Sequence, residues 1–239
     1  MKIDIARQPL VPAFMTLFAL AVAAMCAGIP VSDTSGAVRD ALPLLGGQLA
    51  RFQAAYPVWS KFAAGFMLLF TGMCAGRITI RYNLYTVGTC LPIPLYAIVA
   101  CGIATGGNYL AGFAASMLLA LATKNYCRAF CNGYGFDAIF RASLYLGLMP
   151  LVYAPALPLL LLLPLAVLLF RRTLREVAVA TAGLLLPVFT ACYVSWGTGA
   201  EFTAPLIKLG QSAIEGMPLH LFLDIPLPAL VMAGGIVLL

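Results

Sequence analysis

The chain has 239 residues, of which 63% are hydrophobic and only 9% charged, with a net charge of +6 and a mean hydropathy of +1.00. A soluble domain covers itself in water with roughly 25% charged residues, so this composition speaks against one. It also speaks against a nucleic-acid partner, because the basic residues form short clusters between apolar runs rather than one continuous face.

A helical span needs ~20 mostly apolar residues to cross ~30 Å of hydrocarbon. Taken in chain order, the apolar runs predict spans at about 10–30, 57–76, 84–104, 108–123, 141–153, 156–170, 174–194 and 219–239. The expected fold is an all-α polytopic transmembrane helix bundle of about eight spans, one domain over residues 1–239, with both termini cytoplasmic. Lys2 and Arg7 precede the first run, Leu10 to Pro30. That run exceeds the roughly 7–15 residues of a signal-peptide core, and Met25 before Cys26 does not fit a lipoprotein signal, so an uncleaved first span is expected.

The segment from Val31 to about Tyr56 follows on the outer side. Ser32 and Asp33 are good helix caps, and Leu42, Leu45, Leu49 and Phe52 recur at helical spacing, interrupted by Gly46 and Gly47. This predicts a short helix lying in the interface. Further on, the run from Ala142 to Phe170 has 29 residues, too many for one upright span. Tyr153, Ala154 and Pro155 stand at its middle, and proline breaks a helix, so a hairpin of two short helices is expected. Just before it, Asp137 and Arg141 lie at i and i+4, ready to pair on one helix face.

Orientation follows from the basic residues. With the N-terminus inside, ten lie on the cytoplasmic side: Lys2, Arg7, Arg77, Arg81, Lys124, Arg128, Arg141, Arg171, Arg172 and Arg175. The outer side holds four: Arg39, Arg51, Lys61 and Lys208. A single span over 142–170 would throw the Arg171 cluster outside, so the count supports the hairpin independently of the prolines. Trp59 and Trp196 fall at outer boundaries, where indole rings prefer to sit.

Residues able to carry chemistry are few. There is no Walker A loop, GxSxG elbow, HExxH or dinucleotide fingerprint, and no cofactor is expected. The seven cysteines lie mostly in apolar runs, where they behave as small hydrophobes. Cys127 and Cys131 form the one close pair, which is too few ligands for a tetrahedral metal site.

His220 and Asp224 stand at i and i+4 near the start of the last run, placed for proton relay or general-base work. The competing reading sets Asp224 in the headgroup region, because Pro226 and Pro228 delay the span. Asp33 and Asp40 follow the first span and could act as base or ligand on an interfacial substrate, or simply cap and solvate a loop. Arg77 and Arg81, and Arg171, Arg172 and Arg175, could contact phosphate or lipid headgroups; equally, they could serve as orientation signals alone. Glycines 72 and 76, and 102 and 106, have the spacing that lets helices approach closely, and packing inside the bundle is expected.

The stretch from about Gly133 to Trp196 contains GLMPLVYAP, then RRTLRE, then GLLLP. Together with CAGRITIRYNLYTVGTCLP before it, this resembles a family of uncharacterised polytopic bacterial inner-membrane proteins, a domain of unknown function. The resemblance implies a multi-pass helical protein and brings no catalytic residues. In architecture the chain is also similar to multi-span glycosyltransferases that use polyprenyl-phosphate sugars. That likeness implies an acidic residue in the first outer loop, a place that Asp33 or Asp40 would hold.

The chain stops inside an apolar run, LVMAGGIVLL, so either the last span is short or the sequence is truncated. The expected function is that of a cell-envelope component of the bacterial inner membrane, partnered by membrane lipids or other membrane proteins and lacking its own catalytic motif. The alternatives are an envelope enzyme acting on a polyprenyl-phosphate-linked substrate and a small secondary transporter.

Overall fold

Residues 10–26, 44–82, 90–104, 109–131, 135–161 and 173–215 are described by a computed structural model. Among them are eight α-helices, one 3-10 segment and no strand. The helices are α1 (Leu10–Cys26), α2 (Leu44–Ala55), α3 (Pro57–Arg81), α4 (Pro92–Ala104), α5 (Tyr109–Cys131), α6 (Phe136–Val152), α7 (Leu174–Gly197) and α8 (Ala204–Glu215). The 3-10 segment, Ala154–Leu161, follows α6. The all-α class expected from composition is present. Two helices, α3 and α7, are long and apolar enough to cross a membrane.

Local chemistry sets several boundaries. Pro57 opens α3, where its missing N–H is no loss and its fixed φ is already helical. α7 ends where Gly199 takes a φ of 84°, a left-handed turn that suits glycine. α6 ends at Val152, and Tyr153 after it is extended, so the predicted break in the 142–170 run is there. Beyond the break the chain enters the 3-10 segment, in a stretch where prolines 155 and 158 withhold backbone donors.

Four helices outrun their predicted spans: α3 continues to Arg81, α7 to Gly197, and two more extend at the charged end. α5 continues past 123 through Lys124 to Cys131, and α6 begins at Phe136 rather than 141. Charge ends a membrane span, but it does not end a helix, and nothing in NYCRAFC breaks one. The predicted pair is formed in that extension: Arg141 Nε donates to Asp137 Oδ1 at 3.0 Å. Both side chains are exposed, so the pair contributes only about 0.3–0.5 kcal/mol. The segment after the first predicted span does contain a helix, α2. The span at 219–239 lies outside the described residues.

Cross-helix contacts give the directions. Leu17 lies over Gly72, and Met25 over Gly65, so α1 runs antiparallel to α3. Ile93, at the start of α4, sits over Gly76 near the end of α3. Ser60 and Tyr109 hydrogen-bond through their hydroxyls at 2.5 Å, joining the starts of α3 and α5, which run parallel. Val152, at the end of α6, packs with Ala111 and Ala114 at the start of α5. α8 follows α7 and touches α2, and Gln53 of α2 accepts from Leu110 N at the start of α5. α6 and α7 therefore finish at the same end.

These directions sort the charges. One end carries Arg77, Arg81, Lys124, Arg128, Arg141 and Arg175; the other carries Arg51, Lys61 and Lys208. Small side chains, among them Ala13, Ala21, Ala64, Ala97, Ala114 and Ala142, share the core with Leu17, Leu68, Phe113, Ile139 and Met149. Large apolar side chains point outward: Phe14, Phe18, Trp59, Phe62, Phe66, Leu185, Phe189 and Tyr193 are all exposed.

α6 and α7 make the closest approach. A Cβ at Gly147 would collide with the carbonyl of Leu184, and one at Gly183 would meet the Phe140 carbonyl at 2.8 Å. Backbone cannot yield as a flexible side chain does. Gly147→Val should therefore lower the thermal midpoint of detergent-solubilised protein, at an overpacking cost of about 1–3 kcal/mol. Gly210→Ala, where a Cβ meets nothing within 4 Å, should leave the midpoint unchanged. Equal midpoints for the two variants would refute the close contact.

Candidate functional site

The candidate residues divide by position. Asp33, Asp40, Arg171, Arg172, His220 and Asp224 lie outside the described residues. Arg77, Arg81 and Arg175 are exposed, on the last turns of α3 and the first turn of α7. The fold brings them to one end of the bundle, with Lys124 and Arg128 beside them from α5.

Two of these cations, Lys124 and Arg77, lie near the same buried thiol. Cys74 is buried in α3 and feels the charge of Lys124 on α5 and of Arg77 on its own helix. The sequence placed Lys124 and Arg128 among the orientation signals only. Their partnership with Arg77 and Arg81 depends on α3 and α5 being parallel neighbours, and residues more than forty positions apart carry no sign of that.

Anionic groups at this end are scarce among the described residues. Asp137 is held by Arg141 at 3.0 Å. Glu176, in the first turn of α7, is only 1% exposed. A carboxylate suits a helix N-terminus, where the backbone N–H groups carry partial positive charge. Its burial between helices was not anticipated, because a Glu beside Arg175 looks like surface. The other buried polar side chains are hydroxyls, and several bond to the carbonyls of their own helix: Ser143 to Ile139 O at 2.7 Å and Thr79 to Ala75 O at 2.7 Å.

Cys127 and Cys131 occupy the last turns of α5, beyond the predicted span. No group of three or more metal-ligating residues occurs among the described residues. Burial pushes the Cys127 thiol up from its ordinary value, and the nearby Cys131 raises it further.

The opposite end is aromatic. Phe52 and Tyr56 meet at 5.7 Å between ring centres, Trp59 and Phe62 at 6.4 Å, and Tyr193 and Trp196 at 6.0 Å. At the bend from α2 into α3, an open groove of about 540 Å³ is lined by Phe52, Tyr56, Trp59, Phe62, Ala63 and Phe66. Its walls are almost wholly apolar, so it can hold hydrocarbon but offers no group for acid–base chemistry. Both tryptophans stand at the end of the bundle opposite Arg77 and Arg81.

No protein-family model, curated protein or solved structure matches the chain. What the site can do therefore rests on its own chemistry: cations at one end, rings at the other and an apolar wall between.

The raised Cys127 thiol has a direct consequence. A thiol alkylates as its thiolate, and a raised pKa delays the thiolate to higher pH. In a variant keeping Cys127 alone, the maleimide rate should reach half its maximum at a higher pH than that of a small free thiol. A midpoint at or below the free thiol's would contradict the burial.

Proposed function

We propose that this chain is a multi-pass component of the bacterial inner membrane, its arginine-rich end in the cytoplasm, serving the cell envelope without a catalytic centre of its own. One observation carries the reading: large apolar side chains cover the outward faces of the helices. Soluble monomers rarely expose a contiguous apolar patch above a few hundred Å². Here the exposed faces of α1, α3, α4 and α7 are apolar along their length, as Val11, Phe14 and Phe18, then Phe62, Phe66 and Phe70, then Leu95, Ile98 and Val99, then Leu185, Phe189 and Tyr193 illustrate. Lipid tails solvate such faces, and a helix meets all its backbone hydrogen bonds internally, as hydrocarbon demands.

The charge distribution supports the orientation. Six described cations gather at one helix end and three at the other, the asymmetry that keeps basic loops on the cytoplasmic side. α2 and α8 fit the opposite interface. α8 presents Leu206 and Ile207 on its exposed side and carries Lys208 beside them, the make-up of a helix lying flat at a headgroup layer.

A second reading, an envelope enzyme acting on a polyprenyl-phosphate-linked substrate, draws on the apolar groove between α2 and α3, which has room for hydrocarbon. Asp33 and Asp40 would supply its carboxylate.

Alkaline phosphatase fusions test the orientation. A fusion after Glu201 should be enzymatically active, and one after Cys131 should be inactive in cells that express both equally. The reverse pattern would overturn the threading. Recovery of the unfused protein from a detergent-free aqueous extract would overturn the membrane assignment itself.

A further inference from the structure

One face of α3 is continuous from end to end. Trp59, Phe62, Phe66, Phe70 and Met73 are all exposed on it, and the same helical spacing leads on to Arg77 and Arg81, also exposed. From Trp59 to Arg81 the helix rises ~33 Å, close to the ~30 Å of a bilayer's hydrocarbon core. The face thus begins with rings at one interface and ends with guanidinium groups at the other.

α5 adds to the cationic end. Tyr109 bonds to Ser60, and the two parallel helices keep step from there. Lys124 therefore comes level with Cys74 and Arg77, as its charge on Cys74 requires, and Arg128 comes level with the last turn of α3. Four cations from two helices border one seam. The ion pair seen among the described residues at this end, Arg141–Asp137, involves none of the four. Basic groups clustered at the end of an apolar face attract anionic lipid headgroups.

We infer that the seam between the cationic ends of α3 and α5 binds an anionic phospholipid of the cytoplasmic leaflet. Arg77, Arg81, Lys124 and Arg128 take its phosphate, and Phe70 and Met73 take its acyl chain. Guanidinium groups suit phosphate because their paired donors match its oxygens. A zwitterionic lipid brings its own cation to the same place and loses the advantage. This site rests on the membrane reading above, which supplies the leaflet and the tail.

The test is native mass spectrometry of the full chain released from detergent, titrated with phosphatidylglycerol and phosphatidylcholine of identical acyl chains. The wild type should prefer phosphatidylglycerol by about tenfold or more, since each nearby Lys or Arg adds appreciably to anionic-lipid attraction. A variant carrying Arg77→Gln, Arg81→Gln, Lys124→Gln and Arg128→Gln should lose that preference. Lys124→Gln with Arg128→Gln alone should lose part of it while leaving α3 intact. Arg51→Gln with Lys208→Gln, at the other end, should lose none.

Thermal midpoints of the same samples establish that each variant is folded. Equal binding of the two lipids to wild type, or an undiminished preference in the folded fourfold variant, would overturn the site. So would displacement of the lipid by excess inorganic phosphate, which would mark a soluble anion as the ligand. None of these outcomes touches the membrane reading, which fails only if the wild type needs no detergent.

Discussion

Helices in this protein meet where side chains are missing. Leu17 rests on Gly72, Ile93 rests on Gly76, and the backbone of Leu184 rests against Gly147. The glycines make room for such side chains in the interior, while other large apolar residues, Phe66 and Phe189 among them, face outward. The glycine spacing at 72 and 76 thus serves packing within the bundle, as the sequence predicted. Dispersion between close-packed backbones holds such a structure together. On the membrane reading proposed above, the hydrophobic effect, which needs water to expel, would contribute little between the helices.

From that constraint the rest follows in order. On the same membrane reading, lipid tails solvate the bulky apolar exterior of the bundle. Its polar groups must be buried with partners or moved to the ends. Both solutions are visible: Ser143 and Thr79 bond to carbonyls of their own helices, while Arg77, Arg81, Arg128 and Arg175 are exposed at one end. The aromatic pairs Phe52–Tyr56 and Tyr193–Trp196 mark the other end. Function, on this account, lies at the two interfaces rather than in the middle.

Much of the fold was legible because hydropathy and helix breakers are local signals. Pro57 and Leu174 begin helices where spans were predicted to begin, and the break after Val152 follows from Tyr153 and Pro155. The Asp137–Arg141 pair needed only helical spacing to foresee. Other features depend on which helices become neighbours, which no short stretch of sequence encodes. The Ser60–Tyr109 bond spans 49 positions. Lys124 meets Arg77 only through the shared direction of α3 and α5. Glu176 is buried by packing that its flanking residues do not announce. α8 escaped notice because its segment, short and mixed in polarity, resembles a loop until its apolar side is seen as a helical face.

The central claim is that lipid, not water, touches the outer faces of α3 and α7. Spin labels at Phe66 and Phe189, in a cysteine-free variant held in lipid nanodiscs, measure this directly. Dissolved oxygen should relax both labels strongly and a water-soluble nickel chelate should barely reach them, while a label at Lys208 should show the reverse. Strong relaxation by the chelate at Phe66 and Phe189 would place those faces in water and contradict the account.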